Sequence, residues 1–130
     1  MESVFYYGTN LKNLQLDNSF ISRYKVPVIF FSSNVLLAEN FAKEQNKTTG
    51  KGFLYKIKVI GKPKIEFYNA VTYSAHFRNK IFSIIKTGQE YVILRNCYDR
   101  PNETYLFENA DIAVLSDFEK VKSIELLKEF

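Results

Sequence analysis

Apolar and polar positions change period several times along this chain, and each change marks an element. SVFYY (3–7) is a run of strand formers halted by Gly8 and Thr9. Residues 10–25 are polar with scattered Leu and Ile, the pattern of a long loop or a short helix. From Val26 to Phe31, β-branched and aromatic residues run almost without a break, as in a buried strand. Asn34 then stands as cap to a helix from Val35 to about Gln45, with Val35, Ala38, Phe41 and Ala42 at helical spacing. NKTTGKG (46–52) is a loop, and FLYKIKVI (53–60) alternates apolar and basic residues as a half-exposed strand does. Gly61–Pro63 turns the chain, and residues 69–86 predict a helix carrying Val71, Phe77, Ile81, Ile84 and Ile85 on one side. EYVIL (90–94), TYLF (104–107) and DIAVL (111–115) predict strands, with turn chemistry in DRPNE between the first two. The tail reads two ways. Ser116 and Glu119 fit a capping box for a closing helix, while KVKSIEL also extends as a strand.

Strands cluster late and do not alternate strictly with helices, so the order predicts an α+β fold with largely antiparallel sheets rather than a doubly wound one. A chain of 130 residues predicts a single domain, 1–130, large enough for one core. No apolar stretch approaches the ~18 residues a membrane span needs, so no membrane is expected. Cys97 is the only cysteine, which rules out an intramolecular disulfide and, with no signal peptide at the N-terminus, points to a reducing, cytoplasmic setting. Nothing ties Cys97 to the only histidine, His76, so Cys97 reads as a small buried residue and His76 as a solvated helix position, with acceptor contact as the alternative. No metal site is expected. The net charge of +4 tolerates an acidic partner without specifying one. Aromatics are the one compositional excess: 12 Phe and 9 Tyr either build a β-rich core or line a site.

Three stretches carry candidate chemistry. In FYYGTN (5–10) a strand ends on Gly8, whose missing side chain exposes backbone; the simpler alternative is a strand followed by a turn. In VIFFSSNVLLAENFA (28–42), Phe30 and Phe31 must point to opposite faces of a strand, one into the core and one toward a cleft. Phe41, two turns into the following helix, is placed to face Phe30 across a slot for a planar cation, unless all three rings are core. In DRPNETYLFENADI (99–112), Glu103 sits where a turn passes into an apolar strand, either at the mouth of a cleft or simply exposed.

Together these stretches resemble the ADP-ribosyltransferase family, most closely its branch with a His-Tyr-Glu signature and its small bacterial and phage members. FYYGT, IFFSSNVLLAENFA and NETYLF stand in the family's order, and Phe30 and Phe41 keep its separation of 11 residues between two aromatics. The resemblance implies split antiparallel sheets with a few flanking helices around a cleft for NAD, the substrate whose nicotinamide–ribose bond is broken. It implies that Gly8 offers backbone groups to the carboxamide, that Phe30 and Phe41 sandwich the ring, and that Thr9 and Ser32 add hydrogen bonds. Glu103 would be the catalytic carboxylate beside the ribose, with Asp99 next in line and Glu90 third. Tyr7 stands where the family has histidine, Phe30 replaces a tyrosine, and Ala38 replaces a serine. No Glu or Gln lies two residues before Glu103, where Pro101 stands, so the pattern of arginine-modifying relatives is absent. The implied activity is mono-ADP-ribosyl transfer to a macromolecular acceptor, most naturally a host protein modified by a phage or mobile-element effector. Two alternatives stay open: a catalytically inactive nucleotide- or partner-binding module of the same fold, and a small basic nucleic-acid-binding protein using Lys56, Lys58, Lys62 and Lys64.

Overall fold

A computed structural model describes residues 1–17 and 25–130; the stretch 18–24 of the expected loop lies outside the described residues. In chain order the elements are β1 (Glu2–Thr9), β2 (Ile29–Ser32), α1 (Val35–Thr49), β3 (Phe53–Ile60), β4 (Lys64–Val71), α2 (Ala75–Lys86), β5 (Tyr91–Asp99), β6 (Glu108–Leu115) and β7 (Val121–Glu129). The fold is α+β: the described residues form seven strands in one sheet, ordered β4-β5-β6-β2-β1-β3-β7, rather than the split sheets expected, with two α-helices. Neighbours are antiparallel except β4 and β5, which are parallel and joined through α2.

Strand alternation decides what each face of the sheet buries. Phe5, Phe31, Tyr55, Ile57, Ile93 and Leu115 share one face and one core cluster. On the other face, Val92, Leu94, Ile112 and Val114 pack with Phe77, Ile81 and Ile84 of α2, and Leu54 packs with Ala38 and Ala42 of α1. Both helices therefore lie on the same side, α2 over β5 and β6, α1 over β1 and β3. Lys56 and Lys58 alternate half-buried with fully buried neighbours, as the pattern of β3 predicts.

Asn34 caps α1 as expected, its Oδ1 accepting from the backbone N–H of Leu36 at 2.9 Å and of Leu37 at 3.3 Å. The helix runs on to Thr49, where Gly50 closes it in a left-handed conformation and donates to Asn46 O. Its buried stripe is Leu37, Ala38 and Ala42; Val35, expected on that stripe, is exposed.

Strand β2 begins at Ile29 rather than Val26, α1 continues past the expected Gln45 into NKTT, and three further elements differ from expectation. The helix predicted over 69–86 begins only at Ala75, where Ser74 Oγ accepts from Phe77 N; residues 69–71 complete β4. This strand escapes a period reading because it is an edge whose Ile65, Phe67 and Val71 are exposed. TYLF is not a strand: Asn102 Oδ1 accepts from Thr104 N at 2.8 Å, which folds the segment into a turn, and β6 starts at Glu108. The ambiguous tail is strand β7, after a 3-10 turn (Phe118–Lys120) capped by Asp117 rather than Ser116. No helix among the described residues is long and apolar enough to cross a membrane.

Candidate functional site

A cleft of about 270 Å³ lies between the two helices. Tyr6, Tyr7 and Gly8 of β1 border it together with Phe30 and Ser32 of β2. Ala38, Phe41 and Gln45 of α1 form one wall, and Phe77 of α2, Asp99 at the end of β5 and Ile112 of β6 complete it. That volume falls just under the roughly 300–1,000 Å³ of drug-sized pockets, and its lining is mostly apolar with a few polar groups.

The cleft exists because β1 and β2 part company. They form one pair, Tyr6↔Ser32, and the same register would bring Gly8 opposite Phe30, where no pair forms. Backbone direction on β1 follows from its other neighbour. Gly61 N donates to Met1 O at 3.0 Å, so in the unbroken β1–β3 register the odd residues of β1 bond to β3. Gly8 is even. Its N–H and C=O therefore point toward β2, into the opening. On its third side Gly8 touches α1 directly: a Cβ there would stand 2.0 Å from Ala38 O and 2.7 Å from Ala42 N.

Phe30 and Phe31 divide between the faces as strand geometry requires. Phe31 is fully buried in the core of the opposite face although it also borders the cleft, while Phe30 lines the cleft from the helix side and meets Phe77 at 6.4 Å between ring centroids. Phe41 lines it from α1. Ser32 lines it too, but its hydroxyl closes a tight turn, accepting from Asn34 N and donating to Asn34 O. The Tyr7 ring turns the other way and packs edge-on against Phe31 at 5.9 Å, so Tyr7 gives the cleft its main chain. Burial raises the Tyr7 phenol above its ordinary pKa, against a smaller opposing effect of a hydrogen bond with Thr9. Thr9 is buried, accepts from Leu11 N, and is not among the lining residues; the hydrogen bond to a ligand expected of it has no support in this placement.

The carboxylate at the cleft is Asp99, not Glu103. Glu103 is exposed in the turn before β6, its carbonyl facing the Arg100 guanidinium, because the strand it was expected to open starts five residues later at Glu108. Glu90 precedes β5, at the opposite end of the strand from Asp99. Asp99 Oδ1 accepts from the Thr72 hydroxyl at 2.5 Å and from Arg100 N at 2.8 Å. Thr72 is almost wholly buried, so this contact fixes the carboxylate. On β6, Ile112 borders the cleft, while Glu108 pairs with Asp99 on the same face of the sheet but does not border the cleft. Phe30 pairs with Val114 and Ser32 with Ile112, so Ile112 and Val114 share the cleft face while Asp111 Oδ1 accepts from Asn96 N.

Gln45, Phe77 and Thr72 escaped the sequence reading. Gln45 follows Phe41 by one helical turn and was legible as its neighbour on the same face; Phe77 and Thr72 reach the site only through the sheet order. Cys97 is fully buried, and burial, reinforced by Asp99 and Asp111, pushes its thiol up to about 12. His76 is exposed on α2 and stacks on Tyr68 at 5.5 Å. Compared with models of known protein families, with curated proteins and with solved structures, the chain has no match.

Proposed function

We propose that the cleft binds the nicotinamide end of NAD and that the chain is an NAD-dependent mono-ADP-ribosyltransferase of macromolecular acceptors, with Asp99 as its carboxylate. One observation carries this reading: Tyr7, Gly8, Phe30, Ser32 and Phe41, which the sequence separates into two distant stretches, border one cleft together with an acid. Phe30 and Phe41 offer aromatic faces to a pyridinium, each worth about 0.5–2 kcal/mol to a cation. Gly8 directs an N–H and a C=O to the opening, a pair suited to a carboxamide.

The chemistry asked of the site is simple. The C1′–N bond breaks with its electron pair going to the pyridine nitrogen, and neutral nicotinamide leaves. Positive charge grows on the ribose, as in glycoside cleavage, and a fixed carboxylate stabilises it. The acceptor's nucleophile then bonds to C1′ and releases its proton to water. A second reading, binding without turnover, is favoured by the apolar Ile112 and Val114 of β6 and by the two hydrogen bonds that already hold Asp99 Oδ1.

Incubation with labelled NAD and a cell lysate separates the two. Wild type and Glu103→Gln are expected to release nicotinamide and label protein, and Asp99→Asn to lose at least about 100-fold of that rate. Loss in Glu103→Gln with retention in Asp99→Asn would return the catalytic role to Glu103. Saturable NAD binding with no nicotinamide release establishes the second reading, and absence of NAD binding removes both.

A further inference from the structure

Asp99 reaches the cleft only because β5 contains one residue too many. At the start of β5, Val92 and Leu94 pack on the helix side of the sheet, and Tyr91 and Ile93 pack on the other. Even numbers face the helices. After Asn96 the rule is reversed: Cys97 lies in the helix-side core and Asp99 lines the cleft. The pairing shows where the reversal occurs. Between Leu94↔Ile112 and Cys97↔Ala110, β5 advances three residues while β6 advances two. A strand without that extra residue would send Cys97 and Asp99 to the face of Tyr91 and Ile93, away from the cleft.

Asn96 is the residue that takes up the bulge. Its φ is 59°, in the left-handed region that Asn enters more readily than other side-chain-bearing residues. Asn69, across the sheet on β4, has φ 54° at the matching irregularity between Phe67↔Arg95 and Ala70↔Cys97. The two amides are joined, Asn96 Nδ2 donating to Asn69 Oδ1 at 2.9 Å. On the other side, Asn109 Nδ2 of β6 donates to Asn96 Oδ1 at 2.6 Å, and Asn96 N donates to Asp111 Oδ1 at 3.1 Å. The two neighbouring strands, β4 and β6, thus grip the bulge through its side chain as well as its backbone.

We infer that Asn96, braced by Asn69 and Asn109, is a positioning residue that sets the face to which the end of β5 turns and so delivers Asp99 to the cleft. The part of this inference that concerns ligand rests on the reading of the cleft as an NAD site; the part that concerns β5 does not. Cys97, the only cysteine, reports on β5 independently, since the same bulge that turns Asp99 into the cleft buries the thiol.

The experiment uses the full chain and two readouts: maleimide labelling of Cys97, and NAD affinity by calorimetry. Asn96→Gly keeps a backbone at ease in the left-handed region; Asn96→Val does not. Labelling is expected to stay slow in wild type, to rise severalfold in Asn96→Gly, which keeps the backbone angle but loses both side-chain amide bonds, and to rise by about tenfold or more in Asn96→Val, as the end of β5 turns or opens. NAD affinity should fall in Asn96→Val to the level of Asp99→Ala, and the double variant should be no weaker than Asp99→Ala alone, a non-additivity that general loosening would not give. If circular dichroism shows Asn96→Val to be unfolded, Asn69→Ala replaces it, with a severalfold rise in labelling expected. Unchanged labelling in the folded variant overturns the inference, as does raised labelling with undiminished NAD affinity. Should wild type bind no NAD, the functional reading falls and labelling alone decides whether Asn96 directs β5.

Discussion

Gly8 and Gly52 are glycines for lack of room, whereas Gly50 is one for its backbone angle. A Cβ on Gly52 would stand 2.1 Å from Ala42 O, just as one on Gly8 would strike Ala38 O, so α1 rests directly on the backbone at both places. Gly50 has φ 79° and open space around it. Gly52→Ala is therefore expected to cost roughly 1–3 kcal/mol in urea denaturation, because the helix must lift. Gly50→Asn should cost under about 1 kcal/mol, since Asn serves as a left-handed helix cap. Equal losses at the two positions would contradict the steric account. Sequence alone could not separate these glycines, since NKTTGKG reads as loop throughout. The division of Phe30 and Phe31 between faces was legible, because it needs only the period of a strand. Asp99 was harder to rank above Glu103: its direction depends on an inserted residue, and a period-two reading places it on the wrong face.

Elements with a start signal of their own were read most accurately. Asn34 marks α1 at the residue, and its side chain does more than cap: Nδ2 donates to Asn109 O at 3.0 Å, tying the helix start to β6. Asn34→Ala should lower stability by about 1–2 kcal/mol, and Asn34→Asp, which keeps the capping oxygen and loses the donor, by clearly less. Matching losses in thermal unfolding would mean that the tie to β6 outweighs the cap. The elements misread were those whose pattern is set by neighbours. Strand β4 exposes Phe67 at 73% because it is an edge, so its apolar residues show no buried stripe. TYLF has the composition of a strand, yet Leu106 is 85% exposed and the turn at Asn102 claims the segment first. Composition names a strand former; only a partner makes it a strand.

At the scale of the whole molecule, the sheet is continuous but weakly joined at its middle. Strands β1, β3 and β7 form one block and β4, β5, β6 and β2 another, and a single pair, Tyr6↔Ser32, links them. The cleft thus falls where backbone groups remain to be used, which a one-dimensional pattern could not reveal although it supplied both aromatic walls. Hydrogen exchange tests this directly. The Tyr7 and Thr9 amides bond to β3 and should exchange slowly, while the Gly8 amide between them, directed into the opening, should exchange far faster. Saturating NAD should slow Gly8 selectively, and at about 100 times the dissociation constant should add roughly 2.7 kcal/mol to the unfolding free energy of the whole chain. A Gly8 amide as protected as Tyr7 in the free protein would mean that β1 and β2 remain paired past Tyr6. The cleft would then lack the backbone contacts through which a carboxamide is held.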